Sequence, residues 1–266
     1  MKNVLFLGRK KWAASALEHL LDSGYTVIGV SGMNDLTGEK RNPLVEQAGL
    51  LGIPVYSDDE IYHYIDYDAQ TFKGEHIDIV ISYLYYHRVR QPLLSIADTA
   101  INFHPAILPD YQGLGGYNAA ILDGRKEYGV TAHMMIEGFD AGDIIKISKF
   151  KMNDNETALS LEQKSMQNMF LLFKEIFSSQ YQFFIDNAYF NDITAGRYIS
   201  RADFEEMKFV DPDASKEEID RKIRAFWYPP FEGAKMKVGS GYYTLVSPEL
   251  MSLIEKNTFS QEEKDG

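Results

Sequence analysis

A chain of 266 residues, 45% hydrophobic and 25% charged, has the size and make-up of one large soluble domain or one with a smaller companion. The absence of cysteine excludes disulfides, thiolate metal sites and cysteine nucleophiles together. A formal net charge of −12 sets long-range electrostatics against a polyanionic partner.

No apolar run reaches the roughly 18 residues that a membrane helix needs, and residues 1–7 lack a signal-peptide core, so the cytoplasm is the expected compartment. In chain order, residues 3–8 form an apolar run ending in glycine, which predicts a strand covered on both faces. Residues 12–21 place Ala13, Ala16, Leu17, Leu20 and Leu21 at helical spacing, with Gly24 at the C-terminal cap. Residues 26–30 predict a strand, 43–51 a helix, 53–56 a short strand, and 77–84 and 99–103 two further buried strands. This alternation predicts βαβ units, hence an α/β fold with a doubly wound, mostly parallel sheet. Residues 128–136 and 143–150 predict strands flanking a loop at 138–142. A long amphipathic helix is expected from Thr157, with Leu159, Met166, Phe170, Phe173 and Phe177 as its core-facing stripe. From Gly196 the pattern changes. Residues 198–209 are charged and irregular, 216–226 predict a helix capped by Ser215, and 234–238 with 242–246 predict a hairpin. These make a smaller C-terminal domain, with a polar tail expected to fray.

Ligands of doubly wound sheets bind outside the carboxyl ends of the strands. Gly8-Arg9-Lys10, the loop 83–90 and the stretch 102–109 all fall there. Asn102 and His104, two apart on a strand, point to one face. An imidazole takes and returns protons near neutral pH, and an amide donates to a developing oxyanion. A carboxylate such as Asp140 orients the imidazole and favours its charged form. Together they suit acyl transfer to an amine without metal or nucleophilic serine. Each residue taken singly also fits a structural role, Asn102 as a turn residue for example. His133 is expected to pack or to support the site. Arg9 and Lys10 fit either contact with an anionic substrate or a solvated loop. No Gly-x-Gly-x-x-Gly follows the first strand, which leaves dinucleotide redox chemistry unsupported.

Four pieces stand in order: Asn102-Phe103-His104, Ile107-Leu108-Pro109, Gly129-Val130-Thr131 and Asp140-Ala141-Gly142. Their order and spacing resemble the formyltransferases that use N10-formyltetrahydrofolate. Residues 219–234 are similar to the C-terminal region of the nucleotide-sugar N-formyltransferases, and Ser82-Tyr-Leu-Tyr-Tyr-His-Arg88 to their loop after the fourth strand. The resemblance implies a Rossmann-like formyltransferase fold. A catalytic domain would span 1–190, a small α+β or barrel-like domain 191–255 and a polar tail 256–266. It implies N10-formyltetrahydrofolate as formyl donor and the amine of a nucleotide-linked deoxyamino sugar as acceptor, in surface polysaccharide (O-antigen) assembly. It further implies a homodimer through the aromatic C-terminal region, with neither nucleic acid nor membrane as partner. Two alternatives fit the same pieces. A methionyl-tRNA formyltransferase would carry a longer, more basic C-terminal barrel. A non-catalytic folate- or nucleotide-binding protein would not need the intact Asn102, His104 and Asp140 set.

Carried over position by position, the resemblance implies His104 as general acid/base, Asn102 as oxyanion stabiliser and Asp140 as the group that raises the His104 pKa, with no metal. The pterin would lie against Tyr86, His87 and Arg88 and against Ile136, Glu137, Gly138, Phe139 and Asp140. Many relatives carry a basic residue and a proline-rich loop after the Leu-Pro segment. Residues 110–117 here, Asp-Tyr-Gln-Gly-Leu-Gly-Gly-Tyr, depart from that pattern.

Overall fold

The computed structural model describes residues 1–32 and 42–252; the polar tail expected at 256–266 lies outside them. The chain falls into two compact units. The first comprises Met1–Gly113, Gly129–Phe150 and Lys164–Tyr198. The second comprises Leu114–Tyr128, Lys151–Gln163 and the chain from Ile199 onward.

The first unit is built on a six-stranded sheet. Its strands are β1 (Asn3–Gly8), β2 (Thr26–Ser31), β3 (Ile77–Tyr83), β4 (Ala97–His104), β5 (Glu127–Met134) and β6 (Ile144–Lys151), in the order β2-β1-β3-β4-β5-β6. The pairs β1–β2, β1–β3 and β3–β4 are parallel, whereas β4–β5 is antiparallel. The chain leaves β1 to one side for β2 and returns on the other side as β3, so the order reverses at β1. Crevices outside strand carboxyl ends at such a reversal are where these sheets take ligands.

Local sequence explains the elements. Helix α1 (Lys10–Asp22) buries Ala13, Ala16, Leu17 and Leu20. It stops because Gly24 takes φ +83, with Gly24 and Tyr25 N–H groups closing onto the Leu21 and Leu20 carbonyls. Helix α2 (Pro43–Leu50) starts at Asn42, whose side chain accepts from the Leu44 N–H and donates to the Gly8 carbonyl at 2.9 Å. That second bond ties the helix start to the end of β1. Helix α3 (Ala158–Ile176) covers one face of the sheet with Met166, Met169, Leu172, Phe173 and Ile176. Phe173 and the following Phe177 meet Phe103 of β4, and Phe173 also meets Phe6 and Tyr83, in a fully buried aromatic cluster.

Four expectations are corrected. The expected stripe of α3 holds in part: Met166 and Phe173, and Phe177 just past the helix, are buried, but Leu159 and Phe170 are only half-buried, and Leu161, Met169, Leu172 and Ile176 join the core. Residues 53–56 form only a single parallel bridge, Val30 to Val55, rather than a strand. Helix Gly116–Leu122 arises where none was expected. Residues 198–209 are not irregular; they contain helix Arg201–Glu206, opened by a reciprocal Ser200–Asp203 capping box.

In the second unit, helices Gly116–Leu122 and Lys216–Ala225 pack together, and Asn118 donates to the Ala225 carbonyl at 2.6 Å. Ser215 and Glu218 cap the latter helix as expected from Ser215. Strands Phe209–Val210, Lys235–Val238 and Gly241–Thr244 form a three-stranded sheet. Phe226 is buried against Phe204, and the Tyr228 hydroxyl bonds Glu162, so this aromatic segment is packing.

Candidate active site

Strand register sets the floor of the site. Ser82 of β3 lies beside Asn102 of β4, which lies beside His133 of β5. His104, two residues on, lies beside Thr131. Because partners in register share a face, the Ser82–Asn102–His133 row runs across three strands.

The hydrogen bonds around this row fix its chemistry. A carbonyl only accepts, so His133 Nδ1 donates to the Met134 carbonyl at 2.7 Å, and His133 Nε2 lies 3.0 Å from Asn102 Nδ2. Asn102 is thereby held at the row, with an amide N–H left to donate elsewhere. His104 is buried and donates from Nε2 to the Tyr111 carbonyl at 2.8 Å. Its Nδ1 stands 3.5 Å from Asp140 Oδ1. The same oxygen is 3.5 Å from His133 Nε2, and Asp140 Oδ2 accepts from the Gly113 N–H at 3.1 Å. Burial pushes the Asp140 pKa up, but the charges of His104 and His133, the His133 hydrogen bond and the Gly113 N–H outweigh it. The carboxyl is held well below the usual carboxylate range.

The remaining motif residues serve as scaffold. Thr131 is fully buried, donates to the Ala106 carbonyl at 2.7 Å and accepts from the Leu108 N–H at 3.1 Å, pinning the Leu-Pro segment to β5. A Cβ at Gly129 would lie 2.5 Å from the Ser148 carbonyl. A Cβ at Gly142 would lie 2.0 Å from the Met134 carbonyl, so only glycine lets the Asp140 loop close onto the strand end. Asp140 itself holds φ +49, unusual for a residue with a side chain.

A cleft of about 170 Å³ opens over the row. Of the residues expected on the donor side, Tyr86, His87, Arg88, Ile136, Gly138, Phe139 and Asp140 line it, with Asn102 and His133. Glu137 does not line it, but its backbone carbonyl accepts from the Arg88 guanidinium. His104 is off the cleft wall, next to Asp140, which is on it. Tyr86 and Phe139 present half-exposed rings, each backed by a cation: Arg9 lies 3.6 Å over the Tyr86 ring and Arg88 lies 5.0 Å over the Phe139 ring. Arg9 also donates to the Leu84 carbonyl at 2.7 Å, which makes it a brace for the loop after β3. A flat heterocycle with hydrogen-bonding edges fits these walls: ring faces on two sides, and a carboxylate, an amide and a hydroxyl at the floor.

The match with known proteins covers the same residues. Residues 68–171, which hold β3, β4, β5, β6 and all three motif residues Asn102, His104 and Asp140, match the formyl transferase family model. GDP-perosamine N-formyltransferase of Brucella melitensis is 31% identical over 171 residues, a stretch that is 62% of this chain and 63% of that protein. An N-formyltransferase of Helicobacter canadensis, solved with folinic acid and dTDP-3-aminofucose, has a similar fold at TM-score 0.71 and 24% identity, covering 90% of this chain and 85% of that one. A 4-N formyltransferase of Francisella tularensis superposes at TM-score 0.67 and 19% identity, over 92% and 97%. A phosphoribosylglycinamide formyltransferase of Streptococcus pneumoniae reaches TM-score 0.55 at 22% identity and covers only 69% of this chain, though 99% of its own. The sugar N-formyltransferase structures thus share their fold with more of this chain than the phosphoribosylglycinamide enzyme does.

His133 supports the site as expected, holding the Asn102 amide, and it also lines the cleft. Sequence reasoning missed two contributors. Ser82 flanks Asn102 in register, readable only once the strands are paired. The backbone groups of Tyr111 and Gly113 clamp His104 and Asp140, and no side-chain pattern announces a backbone contact.

Proposed function

We propose that this protein transfers a formyl group from N10-formyltetrahydrofolate to the amine of a nucleotide-linked deoxyamino sugar, for surface polysaccharide assembly in the cytoplasm. The observation that carries the reading is the meeting of Asn102 and Asp140 at the floor of an aromatic-walled cleft, with His104 held against Asp140, inside the segment that matches the formyl transferase family model. The donor, when bound, supplies an activated formyl carbonyl. Asn102 offers its unspent N–H to the carbonyl oxygen as charge gathers there. Asp140, on the wall and ionised, orients the incoming neutral amine by accepting from its N–H. The His104–Asp140 pair takes the proton shed by the attacking nitrogen and returns it toward the leaving one. Tyr86, His87, Arg88 and the stretch 136–140 hold the pterin, and residues 1–190 carry the chemistry.

Acceptor class rests on the relatives, one a GDP-perosamine enzyme and one solved with a dTDP-amino sugar. We also propose a homodimer through the C-terminal aromatic sheet, where Phe209, Val238, Tyr242 and Tyr243 are exposed. Among the described residues no helix is long and apolar enough to cross a membrane.

The test incubates the protein with formyl donor and a panel of GDP-, dTDP- and UDP-linked amino sugars, read by mass spectrometry for the gain of one formyl group. His104→Ala should lower kcat by about 10²–10⁴-fold while donor affinity is kept. Formylation of charged initiator tRNA with no sugar product would replace this reading with the tRNA one. Donor binding without turnover on any acceptor would leave a binding protein.

A further inference from the structure

A strap outside the four motif pieces, residues 189–197, touches both sides of the His104–Asp140 pair. At its start Tyr189 exchanges two backbone hydrogen bonds with Ile144, at 2.7 and 2.9 Å, just after the Asp140 loop. At its end the Arg197 N–H donates to the Asp110 carbonyl at 3.3 Å, and the Arg197 carbonyl accepts from Gln112 at 3.0 Å. Those residues flank Tyr111, whose carbonyl holds His104. Gly196 lies so close to Pro109 that a Cβ there would be 1.8 Å from its carbonyl oxygen. Between these ends stands Asn191, buried to 2% exposure, with Nδ2 donating to the Asp140 carbonyl at 2.9 Å.

Two features set Asn191 apart. The Asp140 carbonyl can only accept, so the amide must face it with nitrogen, and the orientation is forced. Its Oδ1 is then buried without a hydrogen-bond partner among the described residues. A buried acceptor left unmet is a standing cost to the fold. An asparagine whose one hydrogen bond goes to a residue in left-handed conformation is spending that cost on backbone position.

We infer that Asn191 is a positioning residue for formyl transfer: its amide holds the Asp140 backbone at φ +49 and so keeps the carboxylate against His104, His133 and the Gly113 N–H. The proposal rests on the proposed activity for its kinetic arm only. The titration arm stands on geometry alone.

The test compares wild type with Asn191→Leu, which keeps volume and removes the donor, and Asn191→Ser, which keeps a shorter donor. Folding is checked by circular dichroism and thermal melting. In Asn191→Leu, kcat should fall tenfold or more while KM for both substrates stays within threefold, and Asn191→Ser should recover at least part of that loss. Carboxyl carbon NMR should show the Asp140 titration rising toward the ordinary aspartate range in Asn191→Leu and less so in Asn191→Ser. If Asn191→Leu does not fold, Asn191→Ser carries both readouts against wild type. An Asp140 titration unmoved in a folded variant overturns the proposal. If wild type itself transfers no formyl group, the activity reading fails, and the titration still decides the role of Asn191.

Discussion

Asp140 faces two imidazoles and a backbone N–H, and each favours its ionised form. A carboxyl whose folded pKa is depressed stabilises the protein fully above its unfolded value of about 3.9, and that contribution is lost as pH falls through the folded value. The stability difference between wild type and Asp140→Asn should therefore shrink as pH falls below about pH 4. Chemical denaturation across that range checks it, and a gap that widened on acidification would contradict the charge arrangement. The opposing groups here are buried side chains, with Asp140 at 14% side-chain exposure, so solvent screening is weak. Of the site, Asn102, His104 and Asp140 were legible because chemistry at a strand end has a short pattern. The pairing of His133 with Asn102 was not, because the two lie 31 residues apart on strands whose register the sequence does not print.

Glycines decide which loops can close at the scale of elements. Gly142 allows the Asp140 loop to touch the Met134 carbonyl, so Gly142→Ala should displace the loop, lower kcat at least tenfold and cost about 1–3 kcal/mol of stability by overpacking. Gly49 sits exposed inside α2 with nothing within 4 Å of a Cβ, so Gly49→Ala should instead stabilise by about 0.5–1 kcal/mol through helix propensity. Thermal melts and kcat on the pair separate the two effects. The element patterns read from sequence differ in the same way. β1 and β3 were legible because strands buried on both faces are apolar runs. Helix Arg201–Glu206 was not, because its charged sequence has no apolar stripe, and only the Ser200–Asp203 capping pair marks it. The stripe of α3 was read correctly at Met166, Phe173 and Phe177 but not at Leu159 and Phe170, because apolar residues surround much of that helix and tertiary packing, such as that of Phe173 against Phe103 and Tyr83, selects the face.

For the molecule as a whole, a net charge of −12 opposes tRNA, and the exposed aromatic sheet is the face through which the proposed homodimer would form. Light scattering should give about twice the 30.4 kDa chain mass. Tyr242→Lys with Tyr243→Lys should return the chain mass while leaving the folded domain intact. A wild-type monomer at micromolar concentration would remove the proposed dimer. By itself the sequence determined the doubly wound sheet and the four pieces around Asn102, His104 and Asp140, because buried strands and strand-end chemistry are written in neighbouring residues. Only the tertiary structure decided that His133 holds Asn102, that Tyr111 and Gly113 clamp the His104–Asp140 pair, and that Asn191 reaches Asp140 from 51 positions away. Those contacts join residues distant along the chain, often through backbone atoms, and backbone atoms are the same in every sequence.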